Sequence, residues 1–160
     1  MAVVATGSTP QPIKQLSFFI PNRLAALQRA VAALAEHAVK ICAISIIDAA
    51  DHAVVRLVVD RPAAALQALR ASGHSVFESE LLGVALPPVG AARREGIREV
   101  LASLLVAEVK VEYIYALIEP WQGRPVLALH VDDRETAARV LQGAGLTVVG
   151  QGEIGPGDGS

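Results

Sequence analysis

Apolar and polar positions alternate from Gln15 to Ile20, with Leu16, Phe18 and Ile20 on one side and Gln15, Ser17 and Phe19 on the other. That is the period of a half-buried strand. Leu24, Leu27, Val31 and Leu34 then return at helical spacing as one apolar stripe. Lys40–Ile47 and Ala53–Val59 are β-branched runs joined by the turn-forming segment Asp48–His52, which predicts a hairpin. Within the first run, alternation puts Ile41 and Ala43 on one face and Cys42, Ile44 and Ile46 on the other. A second helix follows, with Asp60 placed to cap its start, Pro62 in its first turn and Gly73 to end it in a left-handed conformation. Short strands are predicted at Ser75–Ser79 and Leu81–Leu86.

The pattern then repeats. Val59, Asp60, Leu69, Gly73 and Val76 recur 72 positions later as Val131, Asp132, Leu141, Gly145 and Val148. Val39-Lys40-Ile41 recurs 70 positions later as Val109-Lys110-Val111, and Leu27, Val31 and Leu34 fall on Ile97, Leu101 and Leu104. In the second copy Asp132 is placed to cap the last helix, Glu135 to complete a capping box and Gly145 to end it before a strand at Thr147–Gly150. Each copy reads strand, helix, strand, strand, helix, strand. The expected fold class is α+β, ferredoxin-like βαββαβ, in two tandem repeats packed together. The divisions expected are a disordered leader over 1–12, a first unit over 13–80, a second over 81–154 and a disordered tail over 155–160.

Composition sharpens this. Of 160 residues, 52% are apolar and 19% charged, against about 25% charged in an average soluble domain. The excess rests on 28 alanines with Val, Leu and Ile, not on aromatic rings. Val126–Leu129 and Lys40–Ile47 are apolar at both parities, so the helix-free face of each sheet is expected to be covered, by self-association or by a further layer. A net charge of -2 argues against nucleic acid and anionic membrane surfaces. No apolar run approaches the roughly 18 residues of a membrane span, and Met1–Pro12 lacks the basic start of a signal peptide, so a cytoplasmic protein is expected. The single cysteine, Cys42, cannot form an internal disulfide. His37, His52, His74 and His130 have no partners at metal-ligand spacing, and no catalytic grouping, metal or cofactor is expected.

Leu16–Arg23 (LSFFIPNR), Asp48–Val59 (DAADHAVVRLVV) and Glu112–Asp132 (EYIYALIEPWQGRPVLALHVD) resemble stretches of the free-standing tandem ACT-domain proteins of bacteria, which carry two ACT domains and no catalytic domain. The resemblance runs from about Gln15 to Ile154. It implies two ACT-like units and a non-catalytic regulatory protein that binds a small amino acid where the loop after the first strand meets a neighbouring unit. The apolar sheet faces add the expectation of a homodimer. In that family the loop carries an Asp or Asn, then Pro-Gly, then Leu; here Asn22, Arg23 and Leu27 fit, while Leu24 and Ala25 stand where Pro-Gly is expected. The corresponding loop of the second unit, Pro87–Gly96, keeps neither feature.

The ligand-binding candidates are therefore Asn22, Arg23, Leu24 and Ala25. A guanidinium at a helix start can pair bidentately with a carboxylate, and Asn22 can equally serve as a cap. Asp48 and Asp51 are explained by turn chemistry. Trp121 lies at a strand connection, Glu119–Gly123, where it either projects as an anchor for a protein partner or folds back on its own strands. Tyr113 and Tyr115 share one strand face and are candidates for the contact between units. The competing function is a ligand-free interaction module whose binding loops have degenerated.

Overall fold

The computed structural model describes residues 9–21, 23–88 and 96–155; residues 1–8 of the expected leader and 156–160 of the expected tail lie outside it. The first unit runs β1 (Ile13–Pro21), α1 (Leu24–Glu36), β2 (Ile41–Ala49), β3 (His52–Val59), α2 (Pro62–Ala71) and β4 (Val76–Ala85). The second continues with α3 (Gly96–Val106), β5 (Val111–Ala116), β6 (Val126–Val131), α4 (Arg134–Gly143), β7 (Thr147–Val149) and the single-turn α5 (Gln151–Ile154). The strands pair antiparallel in the order β2-β3-β1-β4-β6-β5, with β7 also on β4.

β4 is common property of the two units. Its Val76–Leu81 half pairs with β1 and closes the first sheet, while Leu82–Ala85 pairs with β6 and opens the second. The separate strands expected at Ser75–Ser79 and Leu81–Leu86 are thus one. Nothing between them breaks a strand, since Glu78-Ser79-Glu80-Leu81 contains no Gly, Pro, Asn or Asp.

Helices cover one face of each sheet. Leu16, Phe18 and Ile20 of β1 pack with Val55 and Leu57 of β3 beneath Ala26, Ala30 and Leu34 of α1 and Ala65, Ala68 and Leu69 of α2. Leu82 and Val84 of β4 pack with Leu127 and Leu129 of β6 beneath Val100 and Leu104 of α3 and Ala137, Ala138 and Leu141 of α4. The small alanine faces let helix and sheet approach closely, which is where part of the alanine excess is used.

The helix-free faces meet each other. Ile13, Cys42, Ala43, Val58 and Leu81 form one buried cluster with Ala128 of the second unit, and Tyr113, Tyr115 and Leu117 pack against it. The cover expected for these faces is supplied in large part by the other half of the same chain. Gln151 of α5 closes this seam from the end: its Nε2 donates to the Val59 carbonyl at 2.9 Å, and its Oε1 accepts from the Lys14 amide at 2.9 Å.

Three local expectations are corrected. Ile41 and Ala43 do not share a face, because the β2 register shifts between them; Ile41 packs toward the helices and Ala43 into the seam beside Cys42. A shift at the same place in β5, between Val111 and Tyr113, shows the bulge to be part of the repeat. Asp60 does not cap α2, whose N-cap is Arg61 without a side-chain bond. Asp60 Oδ1 instead accepts the Lys40 amide at 2.8 Å, and Asp132 Oδ1 likewise accepts the Lys110 amide at 3.0 Å. Each thus satisfies the strand that precedes it, and α4 is capped one residue later by Asp133, which accepts from the Thr136 amide and hydroxyl. Thr136, not Glu135, therefore holds the third helical position. Gly73 and Gly145 do adopt positive φ, at 88° and 82°, after their helices.

Candidate functional site

The loop between β1 and α1 borders an open cavity of about 630 Å³. Arg23 holds the extended conformation that precedes a helix (φ -142°, ψ 132°). Its carbonyl accepts from the Ala26 amide at 3.0 Å and its own amide donates to Pro21 O at 2.7 Å, so the chain turns sharply into α1. Arg23, Ala25 and Arg29 line the cavity from this side, and Ala50 and Asp51 of the β2–β3 turn line it from the other.

The electrostatics of the cavity are asymmetric. The first turn of α1 carries no acidic residue, so the positive end of the helix dipole is not offset within its own turn. Arg23 and Arg29 add two cations to it, and Asp51 provides one carboxylate across the opening. Such a site can bind an anionic group at the helix start and a cationic group at the turn.

Of the four ligand candidates, Arg23 and Ala25 are brought to this cavity. Leu24 is 81% exposed and does not line it, and Asn22 lies outside the described residues. Arg29 and Asp51 join the site without having been expected there as ligand groups. Arg29 carries a signal in the sequence, since it follows Ala25 by four residues and so shares its helix face. Asp51 carries none beyond turn chemistry, because only the folded hairpin brings it to the helix. In the second unit, residues 89–95 of the corresponding loop are outside the described set.

Tyr113 and Tyr115 lie in the contact between the units. Gln15 is 1% exposed there; its Nε2 donates to the Tyr113 hydroxyl at 2.8 Å, and its Oε1 accepts from the Tyr115 hydroxyl at 2.6 Å. Arg56 sits 3.8 Å from the centre of the Tyr113 ring, and His130 stacks beside that ring at 4.8 Å. Burial pushes the Tyr115 hydroxyl above the ordinary phenol range, with Tyr113 adding to it. Trp121 is half-buried and packs back toward Leu117, Ala85, Val126, Val149 and Ile154. Arg124 pins its hairpin, donating from Nε to the Leu86 carbonyl at 2.9 Å and from Nη1 to Thr147 Oγ1 at 3.1 Å.

No cluster that could hold a metal ion occurs among the described residues, and no described helix is long and apolar enough to cross a membrane. The Cys42 thiol, buried in the seam, is pushed up to about 11 from an ordinary 9.0. Its thiolate fraction near pH 8 is then about a hundredfold below that of an ordinary thiol. A more basic thiolate is also more nucleophilic, which offsets part of this, so iodoacetamide is expected to label Cys42 at least about tenfold more slowly in the native protein than in urea-unfolded chain. Equal rates would contradict its placement in the seam.

A family model described as an ACT domain pair matches residues 11–154. No curated protein matches the chain in sequence. Among solved structures, the fold is similar to that of protein BT0572 from Bacteroides thetaiotaomicron, at a TM-score of 0.80 and 22% identity over 92% of this chain and 98% of that one. It is also similar to the ligand-free regulatory subunit of aspartate kinase from Thermus thermophilus, at a TM-score of 0.64 and 17% identity over 86% and 95% of the two chains. The regulatory subunit of aspartate kinase from Thermus flavus matches at a TM-score of 0.57 and 15% identity over 86% and 95%.

Proposed function

We propose that this chain, which belongs to the family of ACT domain pairs, is a non-catalytic regulatory protein that binds a small amino acid in the β1–α1 cavity. The observation that carries the reading is that Arg23 at the start of α1 and Arg29 in its second turn line one cavity with Asp51 of the β2–β3 turn. A ligand carboxylate pairs with the two guanidinium groups and the helix N-terminus, and a ligand ammonium pairs with Asp51. The neighbour that completes the site is a second copy of the chain. β2 stands at the end of the strand order with Ile44, Ile46 and Ile47 exposed, and an apolar edge strand of that kind calls for a partner. Ligand contacts made from both copies favour one relative arrangement, and that difference in affinity is what a downstream protein reads.

A thermal-shift screen against the twenty amino acids tests this. A ligand at a hundred times its dissociation constant stabilises the fold by about 2.7 kcal/mol, roughly 5–10 °C for a chain of this size. Replacing Arg23 by alanine is expected to abolish the shift while leaving the unliganded transition within about 0.5 kcal/mol. If no amino acid moves the transition, the alternative is favoured: a ligand-free interaction module. One observation supports that alternative. Phe19 and Phe77 form an edge-to-face pair on the helix-free side of the first sheet and remain 51% and 57% exposed, beyond the reach of the second unit.

A further inference from the structure

A second, smaller cavity lies on the seam, away from the β1–α1 loop. It has a volume of about 130 Å³ and forms where β2 begins, the β5–β6 connection turns and α5 ends. Trp121, Leu117 and Ile154 give it apolar walls, and Cys42 lies between them. Its rim carries opposite charges, with Lys40 Nζ and Glu119 Oε2 at 2.6 Å, and Glu153 adds a further carboxylate. At roughly 30 Å³ per water, the space corresponds to about four waters, the bulk of glycine, alanine or serine.

Comparison of the two units shows that the fold itself does not require this arrangement. The first unit joins its equivalent strands through the two-residue turn Ala50-Asp51, whereas the second extends from Leu117 to Pro125. The extension carries Glu119 to Lys40 of the first unit, where the Ile118 amide also donates to the Cys42 carbonyl at 2.8 Å, while Trp121 packs back on the second unit and lines the cavity from that side. Lys40 and Glu119 are both half exposed on long side chains, so they can part without leaving a buried charge unpaired. The Lys40 ammonium, a cation at neutral pH in any case, is held above its ordinary range by the hydrogen bond with Glu119. Cys42, kept as a neutral thiol, offers no competing charge.

We propose that this seam cavity binds a small zwitterionic amino acid, whose carboxylate takes the Lys40 ammonium and whose own ammonium takes Glu119, with its short side chain against Trp121. The walls come from both units, so the occupant ties β2 of the first to the hairpin of the second. The site is independent of the β1–α1 cavity.

Trp121 is the sole tryptophan and reports on the cavity directly. Glycine, alanine and serine are each titrated into the full chain at millimolar concentrations. Trp121 emission follows binding, and equilibrium dialysis of labelled glycine, alanine and serine serves as a second readout. A saturable emission change is expected in the wild type and in Arg23→Ala, with affinity at least tenfold weaker in Lys40→Gln and in Glu119→Gln. Circular dichroism of each variant establishes that it is folded. The absence of saturable binding by either readout overturns the proposal, as does unchanged affinity in the two rim variants. Binding lost in Arg23→Ala but kept in the rim variants also overturns it, and assigns the ligand to the loop cavity instead.

Discussion

Replacing Gln15 by leucine is expected to lower the stability of the chain by about 2–4 kcal/mol, because the substitution removes three side-chain hydrogen bonds and leaves two phenol hydroxyls and the Ser17 hydroxyl short of their partner. Gln15 is the buried polar residue among those described; its amide nitrogen donates to Tyr113 and Ser17, and its oxygen accepts from Tyr115. The two tyrosines are half-buried, so water recovers part of the loss. Replacing all three residues together, Gln15→Leu with Tyr113→Phe and Tyr115→Phe, is expected to recover most of the stability, since the one hydroxyl then left without its partner, on the partly exposed Ser17, is open to water. Urea unfolding of the single and triple variants measures the coupling. If the units did not pack through these faces, Gln15 would be a solvent-facing strand residue and its loss would fall within about 0.5 kcal/mol.

The second large effect is expected at Gly83, on β4 just beyond the end of its pairing with β1 and at the start of its pairing with β7. A Cβ placed there would lie 2.5 Å from the Val149 carbonyl oxygen and 2.5 Å from Ile13 Cδ1. The side chain of Ile13 can move, but the β7 backbone is held in the sheet. Gly83→Ala is therefore expected to destabilise by about 1–3 kcal/mol, with Gly83→Val worse. Gly143 provides the contrast. It sits in α4 with open space where a methyl would stand, so Gly143→Ala is expected to stabilise by up to about 1 kcal/mol. Opposite signs at the two glycines would mark Gly83 as the position where the two sheets are joined too closely for any side chain.

Local pattern makes the elements and their duplication legible. Helical stripes, β-branched runs and the glycines at Gly73 and Gly145 are written in short windows, and recurrence at 70 and 72 positions exposes the two units. What stays hidden depends on contacts between distant residues. Gln15 stands on the polar side of an alternating strand, so alternation assigns it to water; its burial comes from tyrosines 98 and 100 residues away. Asp60 and Asp132 have the chemistry of helix caps, but each lies where the amide of a preceding strand can claim its oxygen first. Alternation also fails at Ile41 and Val111 because a bulge inserts one residue without any marker in composition. At the loop cavity, Arg23 and Ala25 are legible from chain order alone. Arg29 needs the helix face, and Asp51 needs the hairpin to close.

The regulatory account stands on a ligand at the start of α1, and hydrogen exchange with and without the amino acid selected by the thermal screen tests that most directly. The account predicts slower exchange for the amides of Leu24 and Ala25, which precede the first amides bonded to the Arg23 carbonyl and where the carboxylate would rest, and for those of the Ala50-Asp51 turn. Unchanged exchange in both segments at saturating ligand would contradict it.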